Sequence, residues 1–124
     1  MRFSNAAQME EAKENAARVT RECTVPGCSA EWRILHVLES MTETEGNHRL
    51  FDLYAETARL YGLEEIGPQV TGGGSDAAFP VILGIPTICS AGPVGKNAHT
   101  LEEEVEIDSL PRRAKILAAT VTRI

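Results

Sequence analysis

Three consecutive glycines, Gly72-Gly73-Gly74, constrain the fold of this chain more than any other feature. They follow a β-rich run at residues 66–70 and precede Ser75-Asp76, two residue types that favour a helix N-cap. This order predicts a strand, a turn of bare backbone and a helix start. Such a turn exposes N–H groups beside the positive end of a helix, which suits a carboxylate, a phosphate or an oxyanion.

A second loop, residues 92–100, is rich in glycine and proline and carries His99. A loop histidine framed by glycines is typical of a positioned ligand or an acid/base group. One histidine does not make a metal site, because zinc needs at least three protein ligands and no second ligand stands at a recognisable spacing. A triad of Ser75, His99 and an aspartate is disfavoured, since the chain has no G-x-S-x-G elbow.

Composition excludes several classes of partner. The net charge is −6 and no basic cluster extends beyond Arg112-Arg113, so we expect no nucleic-acid partner. No apolar run is long enough to cross a bilayer, so we expect no membrane partner. The three cysteines, Cys23, Cys28 and Cys89, are odd in number and lack zinc-ribbon spacing. We therefore expect reduced thiols in a cytoplasmic protein.

The hydrophobic pattern outlines the secondary structure. Helices are predicted over residues 5–23, 47–61 and 76–83 and after Asp108-Ser109, and strands over 29–38, 66–70 and 84–89. The first helix is expected to be capped by Ser4 or Asn5, and the second to end at Gly62. In the last helix the apolar stripe is Leu110, Ala114, Leu117 and Val121. The polar stretch 40–47 is the best candidate for a boundary between two structural units.

Short segments of both loops and their flanks stand in an order known from one family. They are Gly72-Gly73-Gly74-Ser75-Asp76-Ala77, Gly84-Ile85-Pro86-Thr87, Gly92-Pro93-Val94-Gly95, Ala98-His99-Thr100, Glu103, Val105 and Asp108-Ser109-Leu110. In this order they resemble the C-terminal part of the M20 metallopeptidases. That family includes glutamate carboxypeptidases, succinyl-diaminopimelate desuccinylases, acetylornithine deacetylases and aminoacylases. Met1-Arg2-Phe3 also resembles a strand end in the family's lid, or dimerisation, domain.

The resemblance implies an α/β fold in two parts. Residues 1–42 would be the second half of the lid or dimerisation domain, namely the last helix and strand of a ferredoxin-like α+β lid. Residues 43–124 would be the C-terminal segment of the zinc-hydrolase catalytic domain. From about residue 45 onward they would form a partial α/β/α sandwich. Dimerisation through the lid implies a homo-oligomer.

The resemblance also implies roles for individual residues. His99 matches a histidine that binds one of the family's two zinc ions. Residues Gly73, Gly74 and Ser75 match a loop that lies against the carboxylate and acyl portion of the substrate. Asp76 is expected to hold that loop, and Glu103 matches a recurrent glutamate that supports the metal site from behind or serves the fold.

Departures from the family pattern limit what the chain is expected to do. The family's His-x-Asp, bridging aspartate, Glu-Glu pair and further carboxylate precede the lid, and none of them occurs here. Glu102-Glu103-Glu104 is not that pair, because it follows His99. We therefore assign no catalytic residue. Leu38 stands where some members carry an arginine that grips the substrate carboxylate, which argues against glutamate-type specificity.

These expectations lead to one main functional hypothesis and two alternatives. The chain is expected to be a C-terminal fragment of a zinc-dependent amidohydrolase or exopeptidase. That enzyme would cleave an amide next to a carboxylate, in an N-acyl amino acid or a peptide, and the isolated chain would be inactive. One alternative is a stand-alone module that binds a small carboxylate through the glycine loop. Another is a dimerisation piece that pairs through residues 29–38 without catalysis.

Overall fold

The computed structural model describes residues 1–62 and 65–124. Within them the chain forms α1 (Ala6–Arg21), α2 (Glu45–Leu60), α3 (Ala78–Ile82), β1 (Gly95–Lys96), β2 (Glu104–Val105) and α4 (Ser109–Val121). The chain divides into two compact units. Unit 1 comprises residues 1–43 and 71–85, and unit 2 comprises residues 44–70 and 86–124. This mixture of helices with a small sheet is compatible with a partial α/β domain.

Unit 1 is organised by α1, whose start has a reciprocal cap. The Asn5 side chain accepts a hydrogen bond from Gln8 N at 3.0 Å, and Ser4 N donates to Gln8 Oε1 at 2.8 Å. Both bonds satisfy amides at the helix start, so the cap predicted at Ser4 or Asn5 is confirmed at Asn5. Met9 is the one residue of α1 that is buried. Ser40 Oγ donates to Ser4 O at 2.7 Å and ties the end of the unit's first segment to this cap.

Unit 2 is organised by the contact between α2 and α4. Its core is Tyr54, Ala58 and Ile116, with partly buried apolar residues packed around it (Ile66, Ile88 and Ala91). Tyr54 Oη donates to Ala91 O at 3.5 Å, so the ring lies in the core while its hydroxyl remains paired. Helix α2 ends at Leu60 with Tyr61 as its C-cap, and Gly62 follows in the left-handed conformation, φ +61°, expected of a glycine that terminates a helix.

The buried face of α4 differs from the predicted one. Leu110, Ala114, Leu117 and Val121 are all exposed, whereas Ser109, Ile116 and Thr120 are buried. The reason is that the buried face uses small hydroxyl residues whose polar atoms are paired locally. Thr120 Oγ1 donates to Ile116 O at 2.7 Å, and on α2 the buried Thr57 donates to Leu53 O in the same way. A search for apolar periodicity overlooks such a face.

The predicted strands are also wrong as strands. Residues 29–38 and 84–89 contain neither helix nor β-bridge. The third predicted strand, residues 66–70, also forms no β-bridge. A strand needs a partner to satisfy its backbone groups, and the described part of the chain supplies none to these segments. The ferredoxin-like lid and the boundary between residues 42 and 43 stay predictions. Among the described residues, no helix is both long and apolar enough to cross a membrane.

Neighbouring residues on α4 provide a test of this core. Ile116 is 0% exposed, whereas Leu117 is 39% exposed. We expect Ile116→Ala to lower the free energy of unfolding by about 2–5 kcal/mol, because it removes buried methyl groups and leaves a cavity. Leu117→Ala should cost less than about 1 kcal/mol. Urea denaturation followed by circular dichroism measures both. Equal losses in the two variants would contradict the described orientation of α4.

Candidate functional site

The residues predicted to form the site fall into both units. Gly73, Gly74, Ser75 and Asp76 belong to unit 1, whereas His99 and Glu103 belong to unit 2.

The glycine loop of unit 1 is closely approached by the N-terminal part of the chain. A Cβ atom built on Gly74 would lie 2.4 Å from Leu38 Cδ1 and 3.3 Å from Leu38 Cβ. One on Gly72 would lie 2.6 Å from Arg2 Nη1, whereas one on Gly73 would meet nothing nearer than Thr71 Oγ1 at 3.8 Å. A side chain at position 74 would therefore have to displace Leu38, the apolar residue that covers one side of the loop.

The helix after the glycines begins later than predicted. Its N-cap is Ala77, which makes no side-chain capping bond, and α3 comprises only five residues. Ser75 closes this start through two atoms, since Oγ accepts from Ala77 N and the carbonyl accepts from Ala78 N, each at 3.1 Å. Asp76 O accepts from Phe79 N. The first amides of α3 are thus already paired, so a ligand at this loop would have to meet the glycine backbone rather than the helix start.

The loop that carries His99 connects the two strands of a hairpin in unit 2. The strands are antiparallel, with Gly95 opposite Val105 and Lys96 opposite Glu104. A Cβ atom on Gly95 would lie 2.8 Å from Glu104 O, so only glycine allows the strands to approach this closely. The Lys96–Glu104 ion pair, at 3.3 Å, is exposed and contributes little to stability.

The hairpin is anchored to α4 by one buried hydroxyl. Ser109, fully buried at the start of the helix, accepts a hydrogen bond from Val94 N at 2.9 Å and donates to Glu106 O. Glu106 N in turn donates to Val94 O at 2.8 Å, which continues the ladder beyond β1 and β2. The first turn of α4 therefore fixes the base of the hairpin, although Asp108, at the N-cap position, makes no side-chain capping bond.

Hydrogen bonds within residues 97–103 hold the loop in one shape. Thr100 Oγ1 donates to Asn97 O at 2.8 Å and accepts from Glu102 N at 3.2 Å. Asn97 Nδ2 donates to Glu102 O at 3.3 Å. These bonds span the loop from end to end, so its conformation is set without any ligand.

His99 has an uncommon backbone conformation in this loop. Its φ is +68°, and that of Asn97 is +56°, both in the left-handed region that non-glycine residues seldom adopt. The His99 amide donates to Glu103 Oε2 at 3.4 Å, so the structure brings these two predicted site residues together. His99 is exposed, which leaves its imidazole accessible. Such strained backbone conformations cluster at active sites and ligand contacts.

The donor set for a metal ion is incomplete within the described residues. They contain no group of three or more His, Cys, Asp and Glu side chains placed to hold one ion. His99 fits the role of one imidazole ligand, but zinc needs more than one. Any zinc site that uses His99 would therefore need ligands from beyond this set.

Sequence reasoning missed Asn97 and Thr100, which hold the His99 loop. A signal was present, because asparagine tolerates the left-handed region and threonine bonds neighbouring backbone groups. The bond between Thr100 and Glu102 depends on the loop's fold and could not be read from composition.

Comparison with known proteins identifies relatives of this chain. The sequence pattern of peptidase family M20/M25/M40 matches residues 6–123. Carboxypeptidase G2 from Pseudomonas sp. (strain RS-16) is 37% identical over 82 residues. That match covers 62% of this chain but only 19% of the relative.

The contact between Gly74 and Leu38 can be tested with a double-mutant cycle. We expect Gly74→Ala to destabilise the protein by about 1–3 kcal/mol, because the new methyl group overlaps the Leu38 side chain. Gly73→Ala, the matched control, has free space and should change stability by less than about 1 kcal/mol. Adding Leu38→Ala should recover most of the Gly74→Ala loss, which chemical denaturation of all variants would show. Additive effects would count against the contact.

The hydroxyl of Thr100 offers a second test, of the His99 loop alone. Thr100→Val keeps the side-chain shape but removes both hydroxyl bonds, whereas Thr100→Ser keeps them. We expect the Glu102 amide to exchange with solvent about fivefold faster in the valine variant, since one hydrogen bond is worth about 1 kcal/mol. The serine variant should remain close to the wild type. Indistinguishable exchange in both variants, measured by NMR, would refute the described loop.

Proposed function

Because the chain belongs to peptidase family M20/M25/M40, we propose that it contributes to a zinc-dependent amidohydrolase or exopeptidase. The reaction would be hydrolysis of an amide next to a carboxylate, in an N-acyl amino acid or a peptide. The name of the Pseudomonas relative, a carboxypeptidase, supports this class of substrate. The observation that carries the proposal is His99, exposed on a loop whose hydrogen bonds fix it in advance.

His99 would bind one of the two zinc ions implied by the resemblance. Zinc in such a site supplies a Lewis acid that polarises the scissile carbonyl. The contribution of this chain is to orient an imidazole, and the left-handed backbone of His99 limits the directions that the ring takes. Glu103 supports that backbone through the His99 amide, so we assign it a positioning role behind the ligand.

The glycine loop would receive the substrate. Gly73 is the most open of its three glycines, so its backbone amide is best placed to meet a carboxylate or an acyl oxygen. The backbone of Gly74 would face the substrate while the Leu38 side chain packs against it. Ser75 would hold the loop by accepting a hydrogen bond from Ala77 N at the start of α3. Asp76 would serve this closure through its carbonyl group. The apolar contact at Leu38 favours acyl or apolar substrate groups over a glutamate side chain.

The chain alone would not catalyse the reaction. Its described residues offer no three-ligand group, and the sequence carries no counterpart of the general-base glutamate that the family places before the lid, so we assign no residue of this chain a catalytic role. The missing groups would come from residues beyond these 124. A homo-oligomer and a lid-like role for residues 1–42 complete the proposal.

A module without catalysis is the second candidate, and the same incomplete donor set favours it. It would bind a small carboxylate at the glycine loop or associate with other copies. Carboxylate binding in the absence of zinc would distinguish it from the enzymatic role.

A chimera with carboxypeptidase G2 tests the proposed role of His99. The matched residues of that enzyme would be replaced by their counterparts from this chain, and zinc content and hydrolysis of N-acyl amino acids would be measured. We expect His99→Ala to remove one zinc ion per chain and to abolish hydrolysis, because an ion loses one of its few protein ligands. Glu102→Ala, on the same exposed loop, is the matched control and should retain both.

The isolated chain should hydrolyse neither N-acyl amino acids nor dipeptides when zinc is added. Zinc-dependent hydrolysis by this chain that disappears in His99→Ala would disprove the incomplete site. Full zinc content in the His99→Ala chimera would instead remove His99 from the metal site.

A further inference from the structure

Two of the cysteines flank one turn in unit 1. Cys23 follows the end of α1, and Cys28 lies five residues later in the same unit. Both are exposed, and neither is part of a disulfide. The proposed hydrolase makes no use of them, so any chemistry they perform is independent of that function.

The chain between the two cysteines is a well-defined turn. Cys28 N donates to Val25 O at 3.1 Å, the bond that closes a four-residue β-turn. Gly27 has φ +76°, and Pro26 has the fixed negative φ of its ring. Proline followed by a left-handed glycine is the pattern of a type II turn.

Both cysteines approach the carbonyl oxygen of Val25. Cys23 Sγ lies 4.0 Å from Val25 O, the same oxygen that accepts from Cys28 N. The gap between Cys23 Sγ and Cys28 N therefore cannot exceed these two distances laid end to end. The exposed Cys28 side chain has room to change rotamer, and a disulfide needs Cβ atoms about 3.5–4.5 Å apart with a Cα separation below about 7 Å.

We propose that Cys23 and Cys28 form a reversible disulfide across this turn, with a small-molecule disulfide such as oxidised glutathione as the oxidant. The thiolate of one cysteine attacks the small disulfide, forms a mixed disulfide and releases one glutathione thiolate. The thiolate of the second cysteine then attacks the protein sulfur of the mixed disulfide and releases the other. The two cysteine protons pass to the two glutathione molecules, so two thiols are oxidised while one disulfide is reduced.

The turn favours this second step over competing reactions. Ring closure is entropically cheap because the segment is short and the turn already holds its ends together. Cys89 is exposed too, but it belongs to unit 2 and serves as an internal reference for simple glutathionylation. The oxidised form would link the end of α1 to the chain that leaves the turn.

Oxidation of the full chain with oxidised glutathione, followed by peptide mapping, tests the proposal. In the wild type we expect a Cys23–Cys28 peptide lighter by two hydrogens and free of glutathione. Cys23→Ser and Cys28→Ser should each trap glutathione on the remaining cysteine. Cys89→Ser should form the internal disulfide as the wild type does. Stable glutathione on both Cys23 and Cys28 of the wild type, or disulfide-linked dimers through them, would overturn the proposal.

Gly27→Ala tests whether the turn itself is responsible. Nothing lies within 4 Å of a Cβ atom built there, so the substitution acts only through the left-handed backbone. We expect the equilibrium constant for disulfide formation, titrated against glutathione, to fall about 5- to 30-fold, since a non-glycine residue pays about 1–2 kcal/mol in this conformation. Gly67→Ala, equally unobstructed but without positive φ, is the control. An unchanged constant in Gly27→Ala would show that the turn does not pair the thiols.

Discussion

The contact between α2 and α4 is the interaction on which unit 2 depends. Ile116 and Ala58 are fully buried there, and Tyr54 is nearly so. The hydroxyl residues that flank this core bond to carbonyl groups of their own helices, so the helices approach without unpaired polar groups. Burial of so few large side chains makes each one important. The same contact sets the position of the first turn of α4, where Ser109 meets the hairpin.

A series of contacts leads from the buried Ser109 to His99, the candidate metal ligand. The buried Ser109 hydroxyl accepts a hydrogen bond from Val94 N. The absence of a side chain at Gly95 allows β1 and β2 to pair, and these two strands flank the loop that carries His99. A hairpin with two residues in each strand is weak by itself, so its anchoring to a helix matters. The bonds made by Thr100 then fix the loop. An exposed histidine is thus held in place by a chain of contacts that begins in the core.

Unit 1 shows how a family pattern and local packing combine at one glycine. The glycine loop lies within residues 6–123, which match the peptidase family, and Leu38 packs on Gly74. The amides expected to bind an anion at the helix start are instead used by Ser75 and Asp76. The disulfide that we propose between Cys23 and Cys28 involves neither Gly74 nor Leu38.

The sequence by itself determined the helices, the turns and the family. The caps at Asn5 and Gly62 depend only on nearby residues. Short motifs in a fixed order, such as Ala98-His99-Thr100, can be recognised in the sequence without knowledge of the fold. Tertiary structure alone decided which face of α4 is buried, because the buried residues include hydroxyl side chains that no hydrophobic pattern marks. It also decided that residues 29–38 form no strand, because a strand exists only where a partner supplies its hydrogen bonds. The conformational preferences of a segment depend on its own residues, whereas strand pairing and side-chain burial depend on which distant segments come into contact.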